Sequence, residues 1–360
     1  MSKDNLKLLS FALASKIGVG SISGVALSIL IGGKGTLFWI WISSLFLSKI
    51  TYLETKAGII FRDNKKGGPQ VYIKKELNNK KLSIIYSILV VITYLFAFTL
   101  IQSNTIIKAF SYTFNTNEII ITTVLIVITY LSIKKGIDNI SKIVSIILPI
   151  MSIIYVTIGI IILMNNINLI PSLLKDIIIN AFNIKSISTI PIIIGFQRSI
   201  FSNESGMGTT SMIVALSNSN DYNKEAKTQI LGMYFITLVI CTISALIILT
   251  TRYEIIDIDN INGIEIVNYA FNYHFGCFGE ILSTTIITLF AFSTIITSYY
   301  YGSICLTNKK NTISKIIVII VISISTLIRP NIIWNLVDIL CALLTLINLY
   351  ALFKLRSKLW

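Results

Sequence analysis

Four runs without a charged side chain, Leu82–Ile107, Ile143–Leu174, Thr228–Thr251 and Ile281–Asn308, decide the solvent in which this chain folds. About 20 apolar residues wound as a helix cross the hydrocarbon core of a bilayer, and each run is longer than that. With no water at that depth, a spanning segment must satisfy its own backbone polar groups. Charged residues make up 13% of the sequence, against about 25% in a soluble domain. The net charge of +14 suggests nucleic acid only until the charges are placed. The lysines gather in short segments between apolar spans, where they set orientation. Four scattered cysteines without C-x-x-C spacing and one histidine, His274, indicate neither a disulfide framework nor a metal site. No cleavable signal pattern is expected at the N-terminus.

The same reading gives ten spans, at 8–32, 36–60, 82–112, 118–134, 142–164, 187–218, 228–250, 279–306, 313–329 and 333–353. With the N-terminus in the cytoplasm, the inner segments hold twenty Lys/Arg and the outer ones five. That asymmetry places both termini inside. Two outer stretches, PSLLKDIIINAF (171–182) and GIEIVNYAFNYHF (263–275), show apolar residues at helical spacing. They predict short amphipathic helices at the outer surface.

Two spans are badly made as continuous helix. KIGVGSISGVAL (16–27) sets a lysine and several glycines into the first. Each interior glycine costs about 0.5–1 kcal/mol relative to alanine, and a charge at membrane depth about 2.5–3.5 kcal/mol. SNESGMG (202–208) interrupts the sixth in the same way. An offset of five is what two five-helix halves of inverted topology produce, here about 8–164 and 187–353. Paired interruptions at matching positions point to the substrate site of a secondary transporter. Freed N–H groups at a half-helix start suit a carboxylate, and freed carbonyls suit an ammonium or a metal cation. Alone, Gly20-x-x-x-Gly24 is equally a close-packing motif between helices.

These residues resemble the alanine or glycine:cation symporters, the sodium:alanine symporter family, within the group that shares the leucine-transporter fold. The resemblance runs from GVGSISGVALSILIGGKGTLFWIW (18–41) through GGPQVYI (67–73), Gln102–Asn104 and RSIFSNESGMG (198–208). It continues through CTISALIIL (241–249), AFSTI (291–295), YYG (300–302) and IWNLVD (333–338). It implies an all-α membrane protein with broken helices one and six, a single transporter domain over 1–360. Family members usually carry one further helix before the first broken span, and this sequence is expected to begin without it. Gly18, Gly20 and Gly24 would supply carboxylate-binding backbone, with Ser21 where the family usually has asparagine. Ser202, Asn203 and Gly206 would face the substrate's amine and side chain, and Gln102, Thr294 and Ser298 would complete the pocket. Ser293 and Thr294 are hydroxyls suited to sodium. Lys16, Ile17 and Glu204 join them as candidates for the coupling ion, sodium or alternatively a proton.

Departures from the pattern are expected to bear on substrate and ion. Lys16 replaces a small or hydroxyl residue, Ser298 stands where the family often places tryptophan, and TTSMIVALS follows the second break in place of Ser-Ala-Pro. For Lys16 two readings stay open. Its ammonium either takes a cation's place beside the substrate or snorkels to the cytoplasmic vestibule and a loop acid. Arg198, Glu204 and Asp338 are charges at membrane depth and candidates for function or structural pairing. The expected function is import of a small neutral amino acid with a cation across the cell membrane. The alternative is a non-transporting or proton-coupled relative. No nucleophile–base or metal constellation supports an enzyme.

Overall fold

The computed structural model of the protein describes residues 3–182, 190–251, 263–306 and 311–359, and these are helical with no strand among them. Six helices are long and apolar enough to cross a membrane singly: Thr36–Ile60, Lys80–Phe114, Ile137–Asn165, Tyr222–Leu249, Cys277–Ile304 and Pro330–Lys354. A bent pair, Ser10–Lys16 with Val19–Gly32, makes a seventh, its halves meeting at 60°. Shorter apolar helices, Glu118–Ile133 and Thr312–Ile324, stand where the fourth and ninth spans were expected. Ile190–Asn203 and Thr209–Val214 flank the second break, while 187–189 of that expected span lie outside the described residues.

Element ends follow local chemistry. Asn79 caps Lys80–Phe114, the third expected span, by accepting from the Leu82 amide at 3.0 Å, so that helix opens two residues before the expected start. The fifth opens at Ile137 rather than 142, because Gly136 takes a φ of +79° and turns the chain just ahead of it. Asp221 caps the helix from Tyr222 through the amides of Asn223 and Lys224.

Burial orders the helices around the site. In Cys277–Ile304, 72% of the apolar window is buried, against 33% in Ile137–Asn165. The former is the central post and the latter turns most of its surface, including Ile153 and Ile146, outward. That outward face is suited to lipid. Both amphipathic stretches are helices, Ile170–Ala181 and Gly263–Phe275. The second sits so close to the bent pair that a Cβ on Gly263 would come 2.1 Å from the Ser23 carbonyl oxygen. His274 near its end bonds Thr250 Oγ1 at 3.0 Å, and partial burial holds its pKa below the usual imidazole value. Two long helices each contain a π-helical turn, Ile92–Phe98 and Phe235–Cys241. Such turns swing side chains out of the regular helical register and are frequent at functional sites. Here they aim Tyr94 and Thr237 inward, both fully buried.

Candidate substrate and ion site

At the first break the ladder of the helix stops where Ile17 N–H donates to Leu13 O at 2.7 Å. Gly18 is extended, and a single 3-10 turn, Val19–Ser21, precedes the second half. In an unbroken helix Gly18 N–H would bond Ala14 O and Val19 N–H would bond Ser15 O. Instead Ala14 O accepts from Thr294 Oγ1 at 3.0 Å and from Ser293 Oγ at 3.5 Å. Val19 N–H donates to Gln102 Oε1 at 3.2 Å. Thus a carbonyl and two hydroxyls gather on one side of the break, and an amide held by a carboxamide oxygen lies on the other. Gly18 sits between them. A Cβ there would stand 2.5 Å from Thr294 Oγ1 and 3.2 Å from Gln102 Nε2, so only glycine leaves this junction open.

Aromatic rings close the other face. A Cβ on Gly20 would meet the Phe201 ring at 2.8 Å, and one on Gly24 the Trp334 ring at 3.1 Å. Phe201 packs edge-on against Phe98 and Trp334, with centroids 5.1 and 5.7 Å away. The Arg198 guanidinium lies 4.7 Å from the Trp334 centroid and is paired with Asp338. The pair and the rings therefore form one stack over the glycines. Asp338→Asn is expected to keep an acceptor but strip the guanidinium of its counter-charge, lowering stability by about 1–3 kcal/mol. Thermal denaturation checks this, and an unchanged melting curve would show the pair to be idle.

The second break is built from left-handed residues: Glu204 at φ +49°, Gly206 at +92° and Gly208 at +93°. A side-chain-bearing residue at positive φ is uncommon and marks a constrained spot. Its freed backbone is taken up by buried side chains of other helices. Gly208 N–H donates to Glu54 Oε1 at 2.7 Å, Asn348 Nδ2 donates to Gly206 O at 2.8 Å and to Glu54 Oε1 at 2.6 Å, and Tyr86 OH donates to Met207 O. Tyr72, on the short helix Pro69–Lys75, in turn donates to Asn348 Oδ1. One buried carboxylate thereby ties the break to three other helices.

Of the residues singled out in the sequence, Gly18, Gln102, Ser293 and Thr294 come together at the first break, with Gly20 and Gly24 beside them under the rings. Ile17 is buried and carries the last hydrogen bond before that break. Ser298, one turn beyond Thr294, is buried with its hydroxyl unpartnered. Others are committed elsewhere. Ser21 Oγ donates to Gly18 O at 3.1 Å, within its own turn, and Ser202 Oγ to Ser199 O at 3.4 Å. Asn203 exchanges hydrogen bonds with Thr237, and Gly206 faces Thr345 and Asn348. Lys16 does not snorkel to water: 3% exposed, it donates to Thr210 Oγ1 at 3.4 Å and lies within electrostatic reach of Glu204 and Glu54. Sequence reasoning missed Glu54, Asn348 and Phe201. The signal for the first two was present, a lone carboxylate in one expected span and an amide deep in another; Phe201 had none, since one more aromatic in an apolar helix is unremarked.

The sequence matches the description of the sodium:alanine symporter family over residues 4–360. The chain belongs to the sodium:alanine symporter family. As a member it is an integral membrane protein and a secondary transporter of amino acids, not an enzyme. The amino-acid carrier protein AlsT of Bacillus subtilis (strain 168) is 30% identical over 366 residues, covering 98% of this chain and 78% of its own. The sodium/alanine symporter AgcS of Methanococcus maripaludis is 28% identical over 372 residues, covering 98% and 82%. The probable sodium/glutamine symporter GlnT of Bacillus subtilis is 29% identical over 359 residues, covering 96% and 75%. Among solved structures, MhsT in complex with L-phenylalanine aligns with a TM-score of 0.70 at 14% identity, over 97% of this chain and 88% of that one. A mutant of the Eremococcus coleocola manganese transporter gives 0.70 at 13%, over 97% and 79%. Likeness at that identity speaks for the fold alone: this family member shares the leucine-transporter fold.

Proposed function

We propose that this family member imports a small neutral amino acid, alanine, glycine or one of similar size, together with sodium by alternating access. It does so across the cell membrane with both termini cytoplasmic, through ten spans arranged as two inverted five-helix repeats. The observation that carries the reading is the division of labour at the first break. Val19 N–H, held by Gln102 Oε1, is where a substrate carboxylate oxygen would bind in exchange for the carboxamide. Ala14 O with the Ser293 and Thr294 hydroxyls forms a hard oxygen set. A sodium ion entering it would take their lone pairs while the hydroxyl protons turn away. Relatives named for alanine and for sodium support both halves of the reading.

Ser298 bears on pocket size. If a bulkier wall is usual at that position, serine makes room for serine, threonine or glutamine as substrates. One methylene is worth about 1–3 kcal/mol in an apolar pocket, so the lost bulk is enough to change preference. The test is alanine uptake by purified protein in liposomes, with and without an inward sodium gradient, and with those amino acids as competitors. Gradient-driven uptake inhibited by the larger amino acids is the expected result. Absence of uptake would turn the reading toward a non-transporting relative, and inhibition by alanine and glycine alone would remove the enlarged pocket.

A further inference from the structure

Three ionisable side chains are buried together beside the second break: Lys16 at 3% exposure, and Glu54 and Glu204 at 0%. Lys16 faces both carboxylates. With both glutamates ionised their charges sum to −1, whereas the other buried ionic pair, Arg198 with Asp338, is balanced. An unbalanced charge held away from water is strongly unfavourable, so something must neutralise it.

The two glutamates are not equivalent. Glu54 Oε1 accepts from two close donors, the Gly208 amide at 2.7 Å and the Asn348 carboxamide at 2.6 Å, and its Oε2 is left bare. Among the described residues Glu204 accepts one hydrogen bond within 3.5 Å, from Ser15 Oγ at 3.3 Å through Oε2. Its Oε1 is buried without a partner. The hydroxyls of Thr209 and Tyr94 are near enough to the same carboxylate to act on its charge, yet neither comes within hydrogen-bond distance of it or of another partner, and both are buried. Three idle oxygens therefore converge in a place that lacks one positive charge. The remaining titratable groups turned toward Glu204 are Tyr86, Tyr301 and Cys341, phenols and a thiol that supply no cation.

We propose that Glu204, with the hydroxyls of Thr209 and Tyr94, forms a second monovalent-cation site, separate from the Ala14–Ser293–Thr294 oxygens. It takes a proton or a sodium ion and brings the Lys16–Glu54–Glu204 cluster to neutrality. This deepens the reading of the chain as a cation-coupled carrier and rests on it. Ser15 and Lys16 adjoin Ala14 in the chain, so filling the second site bears directly on the half-helix that supplies a ligand to the first. Loss of the cation would leave repulsion between carboxylates next to the network that holds the second break.

The test uses purified full-length protein without amino acid, its melting temperature followed over a pH series in choline chloride and over a sodium series at alkaline pH, at constant ionic strength. One site that binds only the folded protein gives stabilisation rising with the logarithm of free cation. The series in which wild type shows this rise identifies the cation. Glu204→Gln, already neutral with Lys16 and Glu54, should be flat in that series and start from a higher melting temperature at its cation-poor end. Comparison of the two proteins cancels His274 and every other group they share. Lys16→Met, leaving −2, should respond at about tenfold or more lower cation concentration, as a nearby unit charge dictates at effective dielectric near 20. The double variant Ser293→Ala, Thr294→Ala should keep the Glu204-dependent rise. Should Glu204→Gln fail to fold, Glu204→Asp keeps the charge, withdraws the oxygens, and should weaken the response about tenfold. A rise that persists unchanged in the Glu204 variants, one lost in the hydroxyl double variant, or a wild type flat in both series would overturn the site. Failure of uptake with the cation response intact would instead count against the transport reading.

Discussion

Glu54→Ala should abolish uptake and lower stability by about 3–5 kcal/mol, the range for removing one partner from a buried charged network. The size follows from what the carboxylate holds. Its Oε1 alone accepts the Gly208 amide at 2.7 Å and the Asn348 carboxamide at 2.6 Å. Truncation leaves the Gly208 amide buried without an acceptor and strips Asn348 of one of its two, the other being Gly206 O. The loss reaches further than the two bonds. Asn348 also holds Gly206 O and receives Tyr72 OH from the short helix Pro69–Lys75. Releasing Asn348 therefore unlatches the left-handed segment 204–208 from two directions at once. Glu54→Gln keeps an acceptor oxygen of similar reach, so it should fold nearly as well while transporting more slowly. Thermal denaturation with liposome uptake separates the two variants. If Glu54→Ala melts like wild type, the carboxylate does not hold the break.

What the sequence made legible, and what it did not, divides along physical lines. Charge-free runs past the length of a bilayer crossing have one stable outcome, so each long helix stands close to its expected range. The breaks were legible for a related reason. Glycines, a lysine and Asn203-Glu204 inside apolar spans each carry a cost that only irregular backbone or a buried partner offsets. Which partner was not legible. Arg198 finds Asp338 across 140 residues of chain, and Asn203 turns to Thr237 in a π-helical turn that no periodicity announces. Gly206 pointed to the substrate by its neighbours in sequence, yet its φ of +92° turns it toward Thr345 and Asn348. Lys16 shows the limit most plainly. A lysine at that depth invited either a role beside the substrate or an escape to water. Its actual surroundings, Thr210 and two glutamates, depend on Glu54, which stands 38 positions away in another helix.

Gly20→Leu should remove amino-acid binding altogether while leaving a folded protein. In the proposed site, the break would offer backbone to a substrate carboxylate because Gly18, Gly20 and Gly24 have nothing to put in the way, and at Gly20 the space is already tight. A Cβ alone would stand 2.8 Å from the Phe201 ring. That ring is not free to retreat, since Phe98 and Trp334 flank it edge-on and the Arg198 guanidinium lies 6.0 Å from its centroid. A leucine must displace the ring or the half-helix, and overpacking of this kind costs about 1–3 kcal/mol. That is a loss the fold can bear. The proposed binding surface has no such margin, because a carboxylate would have to come within hydrogen-bond reach of the Val19 amide in the turn that Gly20 belongs to. The measurement is the rise in melting temperature of detergent-solubilised protein with alanine or glycine. For wild type at about one hundred times the dissociation constant, that rise reflects about 2.7 kcal/mol of added stability, and Gly20→Leu should show none. Gly20→Ala grades the effect: its Cβ, 2.8 Å from the ring, obliges ring or turn to shift but adds no further bulk, so affinity should fall about tenfold, equivalent to about 1.4 kcal/mol. A leucine variant stabilised by alanine as strongly as wild type would place the carboxylate somewhere other than this turn.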